Sequence, residues 1–250
     1  MQRYFIHQNA DENQRFFIKD ENDVHHIKNV MRNSVGNQII VTFNDEKVYE
    51  CQITQIEEGL IEVSLTKQLE TETELPLDIT VCSGLIKADK YEWLVQKATE
   101  LGANHFIATE MERSVVKLNS NKVTKKLQRW EKIIKEAAEQ SYRLTIPTID
   151  YVSNLKQIYD RINEYDYVLI AYEDAAKRGE KSTLKQLIKQ FNNYDRVLVI
   201  FGPEGGLSEK EINMFTNKAY QVGLGPRILR AETAPLYFLS AVSFEKDLTG

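Results

Sequence analysis

Two short loops near the C-terminus hold the residues best suited to chemistry. The first, Gly202–Gly206, reads GPEGG and follows the apolar run VLVIF; the second, from Gly223, reads GLGPRILRAETA and follows AYQV. The three glycines of the first loop let the backbone approach a ligand closely and present its N–H and C=O groups. That suits a flat adenine and its ribose better than a pyrophosphate, because neither the Gly-Lys-Ser/Thr ending of a P-loop nor G-x-G-x-x-G is present. In the second loop Pro226 stiffens the chain, and Arg227, Arg230 and Glu232 crowd around apolar Ile228 and Leu229, ahead of Thr233, a candidate cap for the next helix. Alone, GPEGG is equally readable as a turn into a well-capped helix. A purely structural account of the second loop would expect a short polar turn instead.

These loops need elements to hold them. From Pro76 onward, strands and helices alternate at the spacing of βαβ units. LDITVCSGLI, HFIAT, TIDYV, YDYVLIAY, RVLVIF and AYQV read as strands. Between them DKYEWLVQKATEL, VTKKLQRWEKIIKEAAEQS, NLKQIYDRI and TLKQLIKQF read as helices, and APLYFLSAVSFEKDL closes the chain. Asp89 is expected as the N-cap of the first helix, with Glu92 three residues on and Gly102 just past its end. Ser208 and Glu211 form a capping box after GPEGG. The fold class is therefore α/β, with about six buried, mostly parallel strands and helices on both faces. In such a sheet ligands bind outside the carboxyl ends of the strands, where both loops emerge.

The first seventy or so residues differ. RYFI, RFFI, QIIVTF, VYECQITQI and LIEVSL are short β runs separated by polar breaks, and a helical stretch over Asp23–Arg32 interrupts them. Thr66–Pro76, acidic and threonine-rich, is expected as a linker, with the boundary near Glu72. The chain has 250 residues, 42% of them hydrophobic, enough for one large domain and one small one. Cys51 and Cys82 lie in apolar runs and suggest core thiols, neither bridged nor metal-bound. No apolar run reaches the roughly 20 residues that span a bilayer, and no secretory signal opens the chain, so a cytoplasmic location and no membrane partner are expected. The net charge of -5 gives no global signature for nucleic acid. Locally, Arg113–Arg143 carry nine basic residues against three acidic ones, a patch that can neutralise phosphates or serve as a solvated helix face.

GPEGGLSEKEI followed by VGLGPRILRAETAPL resembles the 16S ribosomal RNA (uracil-N3)-methyltransferase family, a branch of the knotted SPOUT methyltransferases. KYEWLVQKATELGA, ERSVV, WEKIIKEAAEQSYR and the N-terminal VHHIKNVMR extend the similarity over nearly the whole chain. One departure stands out: the family usually has a small residue before the arginine of the EQ..R motif, where this chain has Ser141-Tyr142 before Arg143.

The resemblance implies a PUA-like β-barrel over residues 1–72 that docks on RNA, and a SPOUT domain over 73–250 whose C-terminal segment forms a deep trefoil knot. It implies S-adenosyl-L-methionine bound between the loops, with adenine held by backbone groups of Leu224, Gly225, Ile228 and Leu229. Phe201, Gly202 and Glu204 would line the ribose and methionine side, with Pro203, Gly205, Gly206, Arg230, Thr233 and Ala234 completing the pocket. It further implies a homodimer, and 16S rRNA of the small ribosomal subunit as substrate. Methylating N3 of a uridine requires an unpaired base, removal of the N3 proton and stabilisation of the resulting anion. Arg230 and Arg143 are the candidate cations, and Glu232 or Glu204 the candidate orienting or proton-accepting carboxylates. Equally, Glu232 could be a scaffold partner for one of the arginines. Arg3, Arg15, His26, Arg32, Arg113 and Lys126 are candidate RNA contacts, and no metal site is expected. Two alternatives stay open: methylation of tRNA, as in other knotted relatives, and a non-catalytic module that binds RNA or an adenine nucleotide.

Overall fold

The computed structural model describes residues 1–11, 15–172 and 183–248. The chain divides into two compact units, Met1–Glu74 with Ala138–Thr145, and Leu75–Ala137 with Ile146–Gly250. The return of Ala138–Thr145 to the first unit was not visible in the sequence, where those residues read as the continuation of a helix and its loop.

The first unit is built on β1 (Arg3–Ile6), β2 (Arg15–Ile18), β3 (Gln38–Phe43), β4 (Val48–Glu57) and β5 (Leu60–Leu69). Among the described residues these form one sheet in the order β1-β3-β4-β5-β2, with only the β1–β3 pair parallel. Alternation sends one face inward: Phe16 and Ile18 of β2 are buried and their neighbours exposed. Both edge strands feed one core, in which Tyr4 and Phe16 join Phe43, Ile53 and Val63. Phe16 meets Phe43 edge-on at 4.7 Å between centroids. β5 runs to Leu69, so the expected linker at Thr66 begins as strand.

The expected helix over Asp23–Arg32 is two pieces. α1 (Glu21–His25) starts at Asp20, whose carboxylate accepts the Asn22 and Asp23 N–H groups. A wider π-type turn over His26–Val30 follows, and Arg32 leaves it in the left-handed region at φ 54°.

The second unit holds β6 (Asp78–Gly84), β7 (His105–Thr109), β8 (Thr148–Val152), β9 (Tyr167–Ala171), β10 (Arg196–Phe201) and β11 (Tyr220–Val222). Their order is β11-β9-β10-β6-β7-β8, and every pair is parallel. Along β10, Val197, Val199 and Phe201 enter one core and Leu198 and Ile200 the opposite one. Full burial of each such side chain stabilises by roughly 1.5–3 kcal/mol, which explains an apolar run without polar interruption.

Helices cover both faces. On one lie α2 (Ala88–Glu100), α3 (Ser120–Gln140), α5 (Thr183–Gln190) and α7 (Ala234–Asp247), contributing Leu94, Ile134, Leu187 and Leu239. On the other lie α4 (Leu155–Tyr159) and α6 (Glu209–Met214), contributing Ile158 and Ile212. The expected capping box at α6 is present: the Ser208 hydroxyl accepts the Glu211 N–H, and the Glu211 carboxylate accepts the Ser208 N–H. Two other caps differ. α2 begins after Lys87, so Asp89 lies within its first turn, and Thr233 occupies the cap of α7 without a side-chain bond, Pro235 giving that helix its start.

No helix among the described residues is long and apolar enough to cross a membrane. Both cysteines are free and buried, and burial pushes the Cys51 thiol up to about 12 and the Cys82 thiol upward as well. Neither thiol is expected to react with an aromatic disulfide reagent at pH 8 until denaturant is added; fast release from the native protein would contradict this burial.

Candidate functional site

β10 ends at Phe201, and the chain must turn at once to reach α6. Within the turn the Gly206 N–H donates to the Pro203 carbonyl at 2.8 Å. Gly202 is pressed against the far side of its own loop: a Cβ there would stand 2.9 Å from the Gly206 carbonyl carbon and from the Leu207 nitrogen. Both are backbone atoms that cannot swing aside. β11 ends at Val222, whose carbonyl accepts the Tyr172 N–H, and the second loop closes onto α7 through the Thr233 and Ala234 N–H groups, both bonded to the Arg230 carbonyl.

The two loops enclose a cavity of ≈630 Å³ at the carboxyl ends of β9 and β10. Phe201, Gly202, Pro203, Glu204, Gly205 and Gly206 line it from one side, and Leu224, Gly225, Ile228, Leu229, Arg230 and Ala234 from the other. Glu232 also lines it. Thr233 is not among the lining residues. Lys90 from the first turn of α2, Arg113 from the loop after β7, and Ala171 and Tyr172 after β9 complete the wall. Arg113 donates to the Gly205 carbonyl at 3.2 Å, so it braces the first loop. Lys90 carried no signal in the sequence beyond its place in a helix after a strand end.

Glu232 is 8% exposed, with Oε1 3.1 Å from Lys90 Nζ. Its other oxygen, Oε2, is buried without a hydrogen-bond partner. The scaffold alternative paired Glu232 with one of the arginines; its ion pair is with Lys90, and Arg227 and Arg230 are exposed. Glu204 Oε1 accepts the Lys87 N–H at 3.4 Å, at the start of α2.

Arg143 has a different setting from the expected catalytic one. It belongs to the first unit, is 2% exposed, and its Nε lies 3.0 and 2.9 Å from the two carboxylate oxygens of Glu74. Arg3, expected on RNA, is equally committed: it is 3% exposed, donates to the Tyr142 and Arg143 carbonyls, and lies 4.8 Å from the centre of the Tyr142 ring. Burial lowers the pKa of its guanidinium, although Tyr142 and Glu74 oppose the shift. Tyr142 sits at φ 62°, which accounts for the small residue usual at this place in the resembled family. Among the other RNA candidates, Arg15 pairs with Glu62 yet stays largely exposed, the His26 Nδ1 meets the Tyr4 hydroxyl at 2.9 Å, and Arg32 is exposed. Lys126 and Arg129 share Glu92 on α2. No cluster of three or more potential metal ligands occurs among the described residues.

This α/β unit, with a loop-lined cleft at its strand ends, matches residues 73–243 to the family described as RNA methyltransferase domain; residues 18–66 match the RNA methyltransferase PUA domain. The chain is 43% identical to ribosomal RNA small subunit methyltransferase E of Bacillus subtilis, over 99% of this chain and 98% of that one. It is 30% identical to the Synechocystis protein of the same name, over 88% and 70%. The crystal structure of the Neisseria gonorrhoeae ribosomal RNA small subunit methyltransferase E bound to S-adenosyl methionine is 28% identical, covers 97% of each chain and superposes with a TM-score of 0.82. The chain belongs to the ribosomal RNA small subunit methyltransferase E family.

Two substitutions separate the loop from the buried arginine. Gly202→Ala forces backbone to move and should cost about 1–3 kcal/mol in a denaturation titration, with loss of ligand affinity in the cleft. Arg143→Ala leaves Glu74 without its partner and should cost about 3 kcal/mol, with that affinity retained in the folded fraction; an Arg143 variant of normal stability would refute a structural role.

Proposed function

We propose that the protein transfers a methyl group from S-adenosyl-L-methionine to N3 of a uridine in 16S rRNA of the small ribosomal subunit. The observation that carries this is the cleft itself: two backbone-rich loops at parallel strand ends, joined by a buried carboxylate with one oxygen unbonded. The residues fit the cofactor. Gly202 keeps the first loop tight against itself, and the loop lines one side of the cavity. Leu224, Gly225, Ile228 and Leu229 would hold the adenine by their backbone groups, with Phe201, Gly202 and Glu204 toward the ribose and methionine. When bound, S-adenosylmethionine supplies an electrophilic methyl group on a sulfonium.

The protein's own residues have the remaining tasks. Arg230, exposed at the cleft, offers a cation to the charge that develops on the uracil as N3 loses its proton. Glu232 orients the base or accepts that proton. Arg113 and the lysines of α3 neutralise phosphates near the cleft, and exposed Arg15 and Arg32 do so on residues 1–72, which we assign as a PUA-like docking domain preceding a methyltransferase domain over 73–250. Buried Arg3 and Arg143 are given scaffold roles. We further assign a trefoil knot to the C-terminal segment and a homodimer as the working state. Tyr237 and Phe244, exposed on α7, supply apolar surface for a second copy.

The test is methyl transfer from labelled cofactor to small subunits of a strain lacking this protein, with the digested nucleosides identified by mass spectrometry. 3-Methyluridine is the expected product, and Arg230→Ala should lower kcat by ~10²-fold. Cofactor binding without any methylated nucleoside would eliminate this function and favour a binding module. Methylated tRNA would redirect the substrate.

A further inference from the structure

The first turn of α2 engages both loops of the cleft. The Lys87 N–H meets the Glu204 carboxylate, and Lys90 Nζ meets Glu232 Oε1 at 3.1 Å. The second contact is the more informative, because it is asymmetric. One oxygen of a nearly buried carboxylate is held by a cation, and the other, Oε2, is shielded from water and bonded to nothing. An acceptor left in that state costs about 1–3 kcal/mol, which an arriving N–H donor would recover. The base of uridine presents such a donor at N3. Cytidine presents a lone pair at the same position and would face the carboxylate with repulsion.

We infer that Lys90 is a positioning residue that holds Glu232 by Oε1, leaving Oε2 to accept the N3 proton of uridine and so to select uridine over cytidine. This rests on methyl transfer to uridine as the function. The N3–H bond breaks with its electron pair left on nitrogen, and the proton passes to Glu232 Oε2. That pair forms the new N–CH3 bond, while the methyl donor's C–S bond breaks with its own pair retained by sulfur. The carboxylic acid then returns its proton to solvent. Among the described residues, the other charged groups lining the cleft are Arg113 on the loop after β7, Glu204 and Glu209 at the first loop, and Arg227 and Arg230 on the second. Arg113 is turned to the Gly205 carbonyl, Glu204 to α2, and both arginines of the second loop are exposed. Among the described residues, Lys90 is thus the cation in direct contact with Glu232.

The experiment reads the coupling between the two residues in turnover, with small subunits of a strain lacking this protein as substrate. Lys90→Met is expected to lower kcat by ~10²-fold with KM for the subunits nearly unchanged, and Lys90→Arg to restore most of the rate. Glu232→Gln lowers kcat by ~10²-fold or more while the protein stays folded. The double variant is expected to be no slower than Glu232→Gln alone, because Lys90 acts through Glu232. Full kcat in Lys90→Met, or rate losses that multiply in the double variant while the wild type forms 3-methyluridine, overturns the assignment. If the wild-type protein forms no 3-methyluridine, the functional reading fails and the proton step with it.

Discussion

β10 is buried on both faces along nearly its whole length, and this constraint organises the second unit. A strand whose alternate residues enter two different cores has no position left for a polar side chain. Chemistry is therefore expelled to the ends. At the carboxyl end of β10 the chain leaves the sheet in a loop whose backbone does what side chains cannot, and β11, on the far side of β9, delivers a second loop to the same edge. The cleft follows from the strand order: β10 lies between β9 and β6, and the helix after β6 brings Lys90 to the site. Three segments distant in sequence meet because parallel strands end on a common edge.

Residues that obey a local rule were legible in advance. The buried strands announced themselves as short apolar runs, the capping box at Ser208 and Glu211 by spacing, and the cleft-lining loops by glycine and clustered charge. Where two local rules competed, the sequence misled. Asp89 and Thr233 are both good caps by type; α2 starts ahead of Asp89, whereas Thr233 does take the cap of α7 but makes no side-chain bond there, Pro235 standing in the first turn. The stretch after Asp20 has helical periodicity, and only the wider turn at His26–Val30 distinguishes it from an ordinary helix. Thr66–Leu69 is polar enough to pass for linker but finds a partner strand in β4.

Charged residues were the hardest to read, since sequence does not disclose burial. Arg3 and Arg143 were expected to face RNA or the uracil, and both lie in the interior of the first unit among carbonyls and a carboxylate. Their surroundings explain the choice of arginine: its planar fork satisfies several acceptors at once, which an ammonium could not do with the same geometry. Glu232 was recognised as important, and one alternative gave it an arginine as its partner. The partner lies on α2, some 140 residues earlier, and no pattern at the scale of a helical turn could have paired them.

The Glu74–Arg143 pair has a consequence for the order in which the molecule comes into being. The partners are 69 residues apart, and the first unit counts Ala138–Thr145 among its own. A chain emerging from the ribosome presents its N-terminal strands early, but the carboxylate of Glu74 and the guanidinium of Arg3 must wait for a segment synthesised much later. At typical elongation rates the 69 residues between Glu74 and Arg143 take roughly 3–14 s, long compared with the formation of a hairpin. Until that segment is made, the buried contacts of Glu74 and Arg3 with it cannot form, so the first unit is completed only after most of the second unit's early strands have been synthesised.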